Sequence, residues 1–120
     1  MNSEQLKDAA VAALEDVKGQ DIRVLDVRDL TIITDYMIVA TGTSPRQVRA
    51  LAERVEEAAR LLGCRPLGCE GLDTGEWVLL DLGDVIVHAM QAVKREFYQL
   101  EKLWEIPARP ARKERSAAPE

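Results

Sequence analysis

The stretch Glu76–Met90 reads EWVLLDLGDVIVHAM. Two short runs rich in branched apolar residues flank Gly83 and Asp84, which is the pattern of a β-hairpin. Glycine supplies the positive φ required at the first central position of a type II′ turn, so Gly83-Asp84 is read as that turn. Pairing outward sets Leu82 opposite Val85, Asp81 opposite Ile86, Leu80 opposite Val87, Leu79 opposite His88, Val78 opposite Ala89 and Trp77 opposite Met90. Side chains alternate between the two faces of a strand, and the hairpin therefore has two different surfaces.

One surface carries Leu82, Leu80, Val78, Val85, Val87 and Ala89, all apolar, and is read as core. The other carries Trp77, Leu79, Asp81, Ile86, His88 and Met90. It is mostly large and apolar, yet it holds two groups that want water or a partner. Three readings compete for it. A helix covers it and His88 is satisfied by Asp81, one diagonal step away. It stays partly open as a protein-docking patch with Trp77 as anchor. Or Asp81 and Asp84 hold a metal for phosphoryl or nucleotidyl transfer, with a phosphate at the helix start in TGTS. Against the last, the two aspartates flank the turn, Gly42 stands without a glycine-rich loop or P-loop lysine, and no Ser/Cys–His–Asp grouping is recognisable.

Upstream, Leu6, Ala9, Ala10, Ala13, Leu14 and Val17 recur at helical spacing, with Gly19 expected at the C′ position. DIRVLDVRDL and DYMIVATG follow as strands. In TGTSPRQV, Ser44 caps a helix, Pro45 opens its first turn and Gln47 completes a capping box. That helix runs through Val48, Leu51, Ala52, Val55, Ala59 and Leu62 and stops at Gly63. A short extended piece around RPLGCEG leads into the hairpin. Beyond it, Val93, Phe97, Leu100 and Trp104 form the stripe of a last helix. The expected order is helix, strand, strand, helix, three strands, helix, packed as a mixed sheet flanked by helices.

At 120 residues and 47% hydrophobic content the chain suits one compact domain. The expected division is a folded domain over 1–106 and a disordered tail over 107–120, where prolines, charge and alanine stand without a large apolar residue. No stretch is long and apolar enough to cross a bilayer, and MNSEQLKDAA lacks the features of a signal peptide; a cytoplasmic protein is expected. Residues 1–106 hold 12 basic and 19 acidic side chains, whereas the tail holds 4 basic and 2 acidic ones. An acidic domain is poorly suited to coating nucleic acid, and a basic protein surface fits it better as a partner. Cys64 and Cys69 lack C-x-x-C spacing and are read as reduced thiols near a strand.

ITDYMIVATGTSPRQVRALAE, LGCEG, WVLLDLGDVIVHAM and REFYQLEKLW, taken together and in this order, resemble the ribosomal silencing factor family, also called RsfS or Iojap, from about Leu6 to Trp104. The resemblance implies a small α/β domain with a mixed, roughly five-stranded sheet, similar to nucleotidyltransferase folds but without their catalytic residues. It implies no enzyme activity and no cofactor. It further implies binding to universal large-subunit ribosomal protein fourteen and obstruction of small-subunit joining, a repression of translation by steric means; organellar relatives act in ribosome assembly. Carried over by motif, the contact residues are Trp77, Leu79, Asp81, His88 and Met90, with Ile86 on the same face and Tyr98 beside them. The basic tail is a candidate for a minor contact with ribosomal RNA. Two rivals remain from other classes: a metal-dependent nucleotidyltransferase-like enzyme using Asp81 and Asp84, and a homodimer that covers the apolar face when the protein is free.

Overall fold

The structure, a computed structural model, describes residues 2–94. Phe97, Tyr98, Leu100 and Trp104 of the expected last helix, the expected boundary at 106 and the tail 107–120 lie outside the described residues. The elements run α1 (Ser3–Asp16), β1 (Gln20–Asp26), β2 (Tyr36–Gly42), α2 (Pro45–Leu61), β3 (Gly68–Glu70), β4 (Trp77–Asp81) and β5 (Val85–Gln91). This is the expected order as far as β5.

The five strands form one sheet in the order β1-β2-β5-β4-β3. β2 and β5 run parallel at its centre, and every other neighbouring pair is antiparallel. A parallel pair needs a long crossover, and here α2, β3 and β4 supply it. Every residue of β2 is buried. Its unbroken apolar run suits a central strand covered on both faces. The edges are β1, largely exposed and bulged between Gln20 and Arg23, and β3, only three residues long. Short or bulged edges discourage pairing with another chain.

Helix α1 starts one turn earlier than the apolar spacing indicates. Asn2 Oδ1 accepts from Gln5 N–H at 2.8 Å and Gln5 Oε1 accepts from Asn2 N–H at 3.0 Å, a complete capping box. At its other end the expectation for Gly19 is corrected by one residue. Lys18 takes the left-handed conformation at φ 62°, and the Lys18 and Gly19 amides donate to Glu15 and Leu14 carbonyls, closing a Schellman motif. Gly19 serves close packing instead, since a Cβ there would stand 3.0 Å from Leu51 Cδ2 and 3.1 Å from the Leu14 carbonyl.

Ser44 caps α2 as expected, accepting from Gln47 N–H at 3.1 Å. The reciprocal bond differs. Gln47 Oε1 reaches Thr43 N–H, at 2.6 Å, and not the Ser44 amide, while Gln47 Nε2 donates to the Val17 and Lys18 carbonyls. The start of α2 is thereby tied to the end of α1, and the Arg54–Asp16 ion pair at 3.0 Å joins the two helices again. Gly63 ends α2 at φ 83°, with its amide and that of Cys64 satisfying the last carbonyls.

Both helices lie on one face of the sheet, where Leu6, Leu14, Val48, Leu51 and Val55 meet Ile38, Val78, Leu80, Val85 and Val87 in the main core. The expected strand over 21–30 is shorter than read. β1 ends at Asp26, because Leu30 and Thr31 amides turn back onto the Val27 carbonyl. The loop that results exposes Leu30, Ile32 and Ile33. Among the described residues no helix is long and apolar enough to cross a membrane.

Candidate functional site

The hairpin register is the expected one at all five ladder pairs from Trp77–Met90 to Asp81–Ile86. The turn is built differently from the type II′ reading. Gly83 has φ 87°, and the Leu82 carbonyl accepts from Asp84 N–H at 3.2 Å, a γ-type closure centred on Gly83, while Leu82 N–H bonds the Val85 carbonyl. Asp81 Oδ1 adds a bond from Gly83 N–H at 2.8 Å. All six residues assigned to the first surface lie in the main core.

The second surface faces away from α1 and α2. Trp77, Leu79, Asp81 and Ile86 are half-buried there. His88, 6% exposed, and Met90, fully buried, sit on the same surface and support it from within more than they present area. Tyr98 lies outside the described residues. Parallel pairing with β2 adds Met37 and Val39, and antiparallel pairing with β1 adds Leu25. Met37, Val39 and Met90 form a second apolar cluster, flanked by Leu25 and Trp77. Alternation along DYMIVATG contains the signal for Met37 and Val39. Which strand lies beside β5 is not written in any local pattern, so the sequence reading missed them.

The polar groups settle differently from the diagonal pair expected. Asp81 closes the turn, and His88 is bonded by Trp77, whose indole Nε1–H donates to His88 Nδ1 at 3.0 Å. The ring centroids are 5.9 Å apart with planes inclined at 45°. Burial pushes the His88 pKa down to about 4 from its ordinary 6.5, so the ring is neutral near pH 7. An apolar, half-buried surface with a neutral histidine and an indole suits docking of another macromolecule.

The other candidate chemistry is largely absorbed by structure. The Thr43 amide of the TGTS segment and the Gln47 amide that follows it are engaged in the α2 cap. Asp84 contributes its carbonyl, which accepts from the Asp35 and Tyr36 amides. Among the described residues no three His, Cys, Asp or Glu side chains are grouped to hold a metal ion. Cys64 and Cys69 are free thiols packed against the main core, and burial raises the pKa of both.

Comparison with known proteins gives a consistent result. The family model described as ribosomal silencing factor during starvation matches residues 1–119. The chain is 47% identical over 104 residues to the ribosomal silencing factor RsfS of Chromobacterium violaceum, covering 87% of this chain and 85% of that one. It is 34% identical over 100 residues to the mouse protein named mitochondrial assembly of ribosomal large subunit protein 1, covering 81% of this chain and 44% of the mouse protein. A crystal structure of a Chromobacterium violaceum protein superposes with a TM-score of 0.86 at 42% identity, covering 100% of this chain and 92% of that one.

Proposed function

Because the chain belongs to the ribosomal silencing factor family, we propose that it is a ribosome-associated regulator that docks on the large subunit and blocks joining of the small one. The partner in this reading is universal large-subunit ribosomal protein fourteen. The docking surface is the sheet face opposite the helices, and the observation that carries it is the gathering of Trp77, Leu79 and Ile86 there, half-buried, with Asp81 at their edge. Trp77 and Leu79 on β4 and Ile86, diagonal to Leu79 on β5, lie on one face of the hairpin, and apolar patches rimmed by polar groups mark protein-binding sites. The large subunit is favoured as the target by the name of the mouse relative, which concerns assembly of that subunit.

The mechanism is steric. A domain held where the two subunits meet prevents their close approach without making or breaking a bond, so no catalytic residue or cofactor is required. The acidic balance of the chain, net −5, speeds encounter with a basic ribosomal protein, while the apolar patch supplies the affinity. Binding therefore weakens as salt rises, mainly through the association rate. In the cytoplasm the free protein covers the same face by pairing with a second copy.

The test is co-sedimentation with purified large subunits, followed by subunit joining measured by light scattering. Trp77→Ala should weaken binding by about 2 kcal/mol, roughly thirtyfold, and restore joining. Asp81→Asn and Leu79→Ala should show smaller losses. Wild-type protein that fails to pellet with large subunits, or Trp77→Ala protein that pellets as well as wild type, would remove the reading. A second reading, assistance to large-subunit assembly, is favoured by the same mouse relative. It predicts accumulation of incomplete large subunits when the protein is depleted, which the joining block alone does not.

A further inference from the structure

Trp77 and His88 sit diagonally across the β4–β5 hairpin, since Trp77 pairs with Met90 and His88 with Leu79. The bond between them has only one possible sense. An indole nitrogen can only donate, so His88 Nδ1 must be the acceptor and the proton of the neutral ring resides on Nε2. On the sheet His88 lies between its register partners, Val39 on β2 and Leu79 on β4, and it is 6% exposed. Burial holds it neutral at physiological pH, which preserves the lone pair that the indole needs.

A leucine or phenylalanine would fill this place without the cost of burying two ring nitrogens. What the imidazole adds is an acceptor directed at the indole. Trp77 is half-buried at the first residue of its strand. A large side chain in such a position loses rotamer freedom when a partner settles on it, and that loss subtracts from affinity. A tether made during folding removes the loss from the binding step.

We infer that His88 is a positioning residue for docking, holding the Trp77 indole in one orientation on the sheet face before a protein partner arrives. The inference rests on the docking reading above and goes further, because it assigns His88 a role through Trp77 and not through contact with the partner. An ordered side chain of this size is worth about three- to tenfold in affinity.

The experiment uses the full chain, with purified large ribosomal subunits as the binding probe. His88→Leu keeps the volume and removes the acceptor, His88→Asn returns an oxygen near the former place of Nδ1, and Trp77→Phe keeps a ring while removing the donor. Binding should fall about three- to tenfold in His88→Leu and recover in large part in His88→Asn. His88→Leu added to Trp77→Phe should cost nothing beyond Trp77→Phe alone. Proton NMR supplies a readout that a merely structural role would not move. The indole N–H of Trp77, distinguished from that of Trp104 by Trp104→Phe, should exchange slowly in wild type and His88→Asn and rapidly in His88→Leu. Additive losses in the cycle, or indole exchange unchanged in His88→Leu, overturn the inference. Should His88→Leu melt early, His88→Asn and Trp77→Phe decide the matter by the same indole signal and the same binding assay. If wild type does not bind large subunits, the docking reading fails first and the positioning role falls with it; wild-type binding that is indifferent to every His88 variant removes the positioning role alone.

Discussion

His88 is the only histidine in the chain, which makes its effect on stability separable from every other titration near neutral pH. Its folded pKa is depressed to about 4 by burial, against an ordinary 6.5. Between those values the unfolded chain takes up a proton that the folded chain refuses, so acidification favours unfolding. The contribution is fully present above about pH 6.5 and is lost progressively as pH falls toward 4. The whole gap corresponds to about 3 kcal/mol, of which about 2 kcal/mol should be lost between about pH 7 and about pH 5. Carboxylates, with ordinary values near or below about 4.3, contribute little over that interval. For a domain of this size the loss is a fall in Tm on the order of 10 °C. Thermal or urea melts of wild type and His88→Leu across that interval measure it directly. The wild-type curve should slope and the His88→Leu curve should be nearly flat. A wild-type melt that does not move, or an equal slope in His88→Leu, would refute the claim that a buried neutral imidazole underlies the acid sensitivity.

Three further outcomes follow from the packing. Ser44→Ala removes the oxygen that accepts the Gln47 amide and should cost about 1 kcal/mol of stability with ribosome binding of the folded fraction unchanged; an unaltered melt paired with lost binding would show that Ser44 belongs to the interface. Leu80→Ala, in the main core at 1% exposure, should cost about 2–5 kcal/mol in a denaturant titration and weaken binding only as far as the protein unfolds. Gly71→Ala should cost more than about 2 kcal/mol, because Gly71 has φ 93° and a Cβ would run into the Trp77 carbonyl oxygen; a melt within a degree of wild type would mean that the 71–77 turn is free to rearrange.

The hairpin was legible because three independent local signals agree in it. Branched apolar residues on both sides mark strands, a glycine marks the turn, and strict alternation separates Val78, Leu80, Val85, Val87 and Ala89 from the residues between them. Register follows once the turn is placed, since a slip of one residue would carry the whole apolar set to the wrong face. The detailed turn type could be misread without harm, because a γ-type closure at Gly83 leaves the same Asp81–Ile86 pairing that a type II′ turn would. The α2 cap was legible for the same reason, with Ser44, Pro45 and Gln47 each favouring the same helix start. At Gly19 a single signal misled. The glycine was present, but Lys18 took the left-handed position, and close approach to Leu51 gives the glycine a different use.

What stayed hidden depends on contacts between segments distant in sequence. Nothing local states that β2 lies parallel beside β5, so the contribution of Met37 and Val39 to the sheet face opposite the helices appears only with the sheet order. The satisfaction of His88 shows the same limit on a smaller scale. Two side chains lie diagonal to it across the hairpin, Asp81 on one side and Trp77 on the other, and strand parity cannot choose between them. The choice is made by competition for Asp81. Its carboxylate sits two residues before Gly83, where it satisfies a turn amide locally, and a short polar side chain beside a turn ordinarily prefers such a bond. With Asp81 so engaged, the imidazole takes the indole donor and remains neutral, whereas an ion pair with Asp81 would have favoured its charged form. The result is an uncharged imidazole on the sheet face with the Trp77 indole bonded to it. The acid sensitivity expected of the domain traces to burial of the His88 ring, and the positioning proposed for the Trp77 indole traces to its one hydrogen bond with His88.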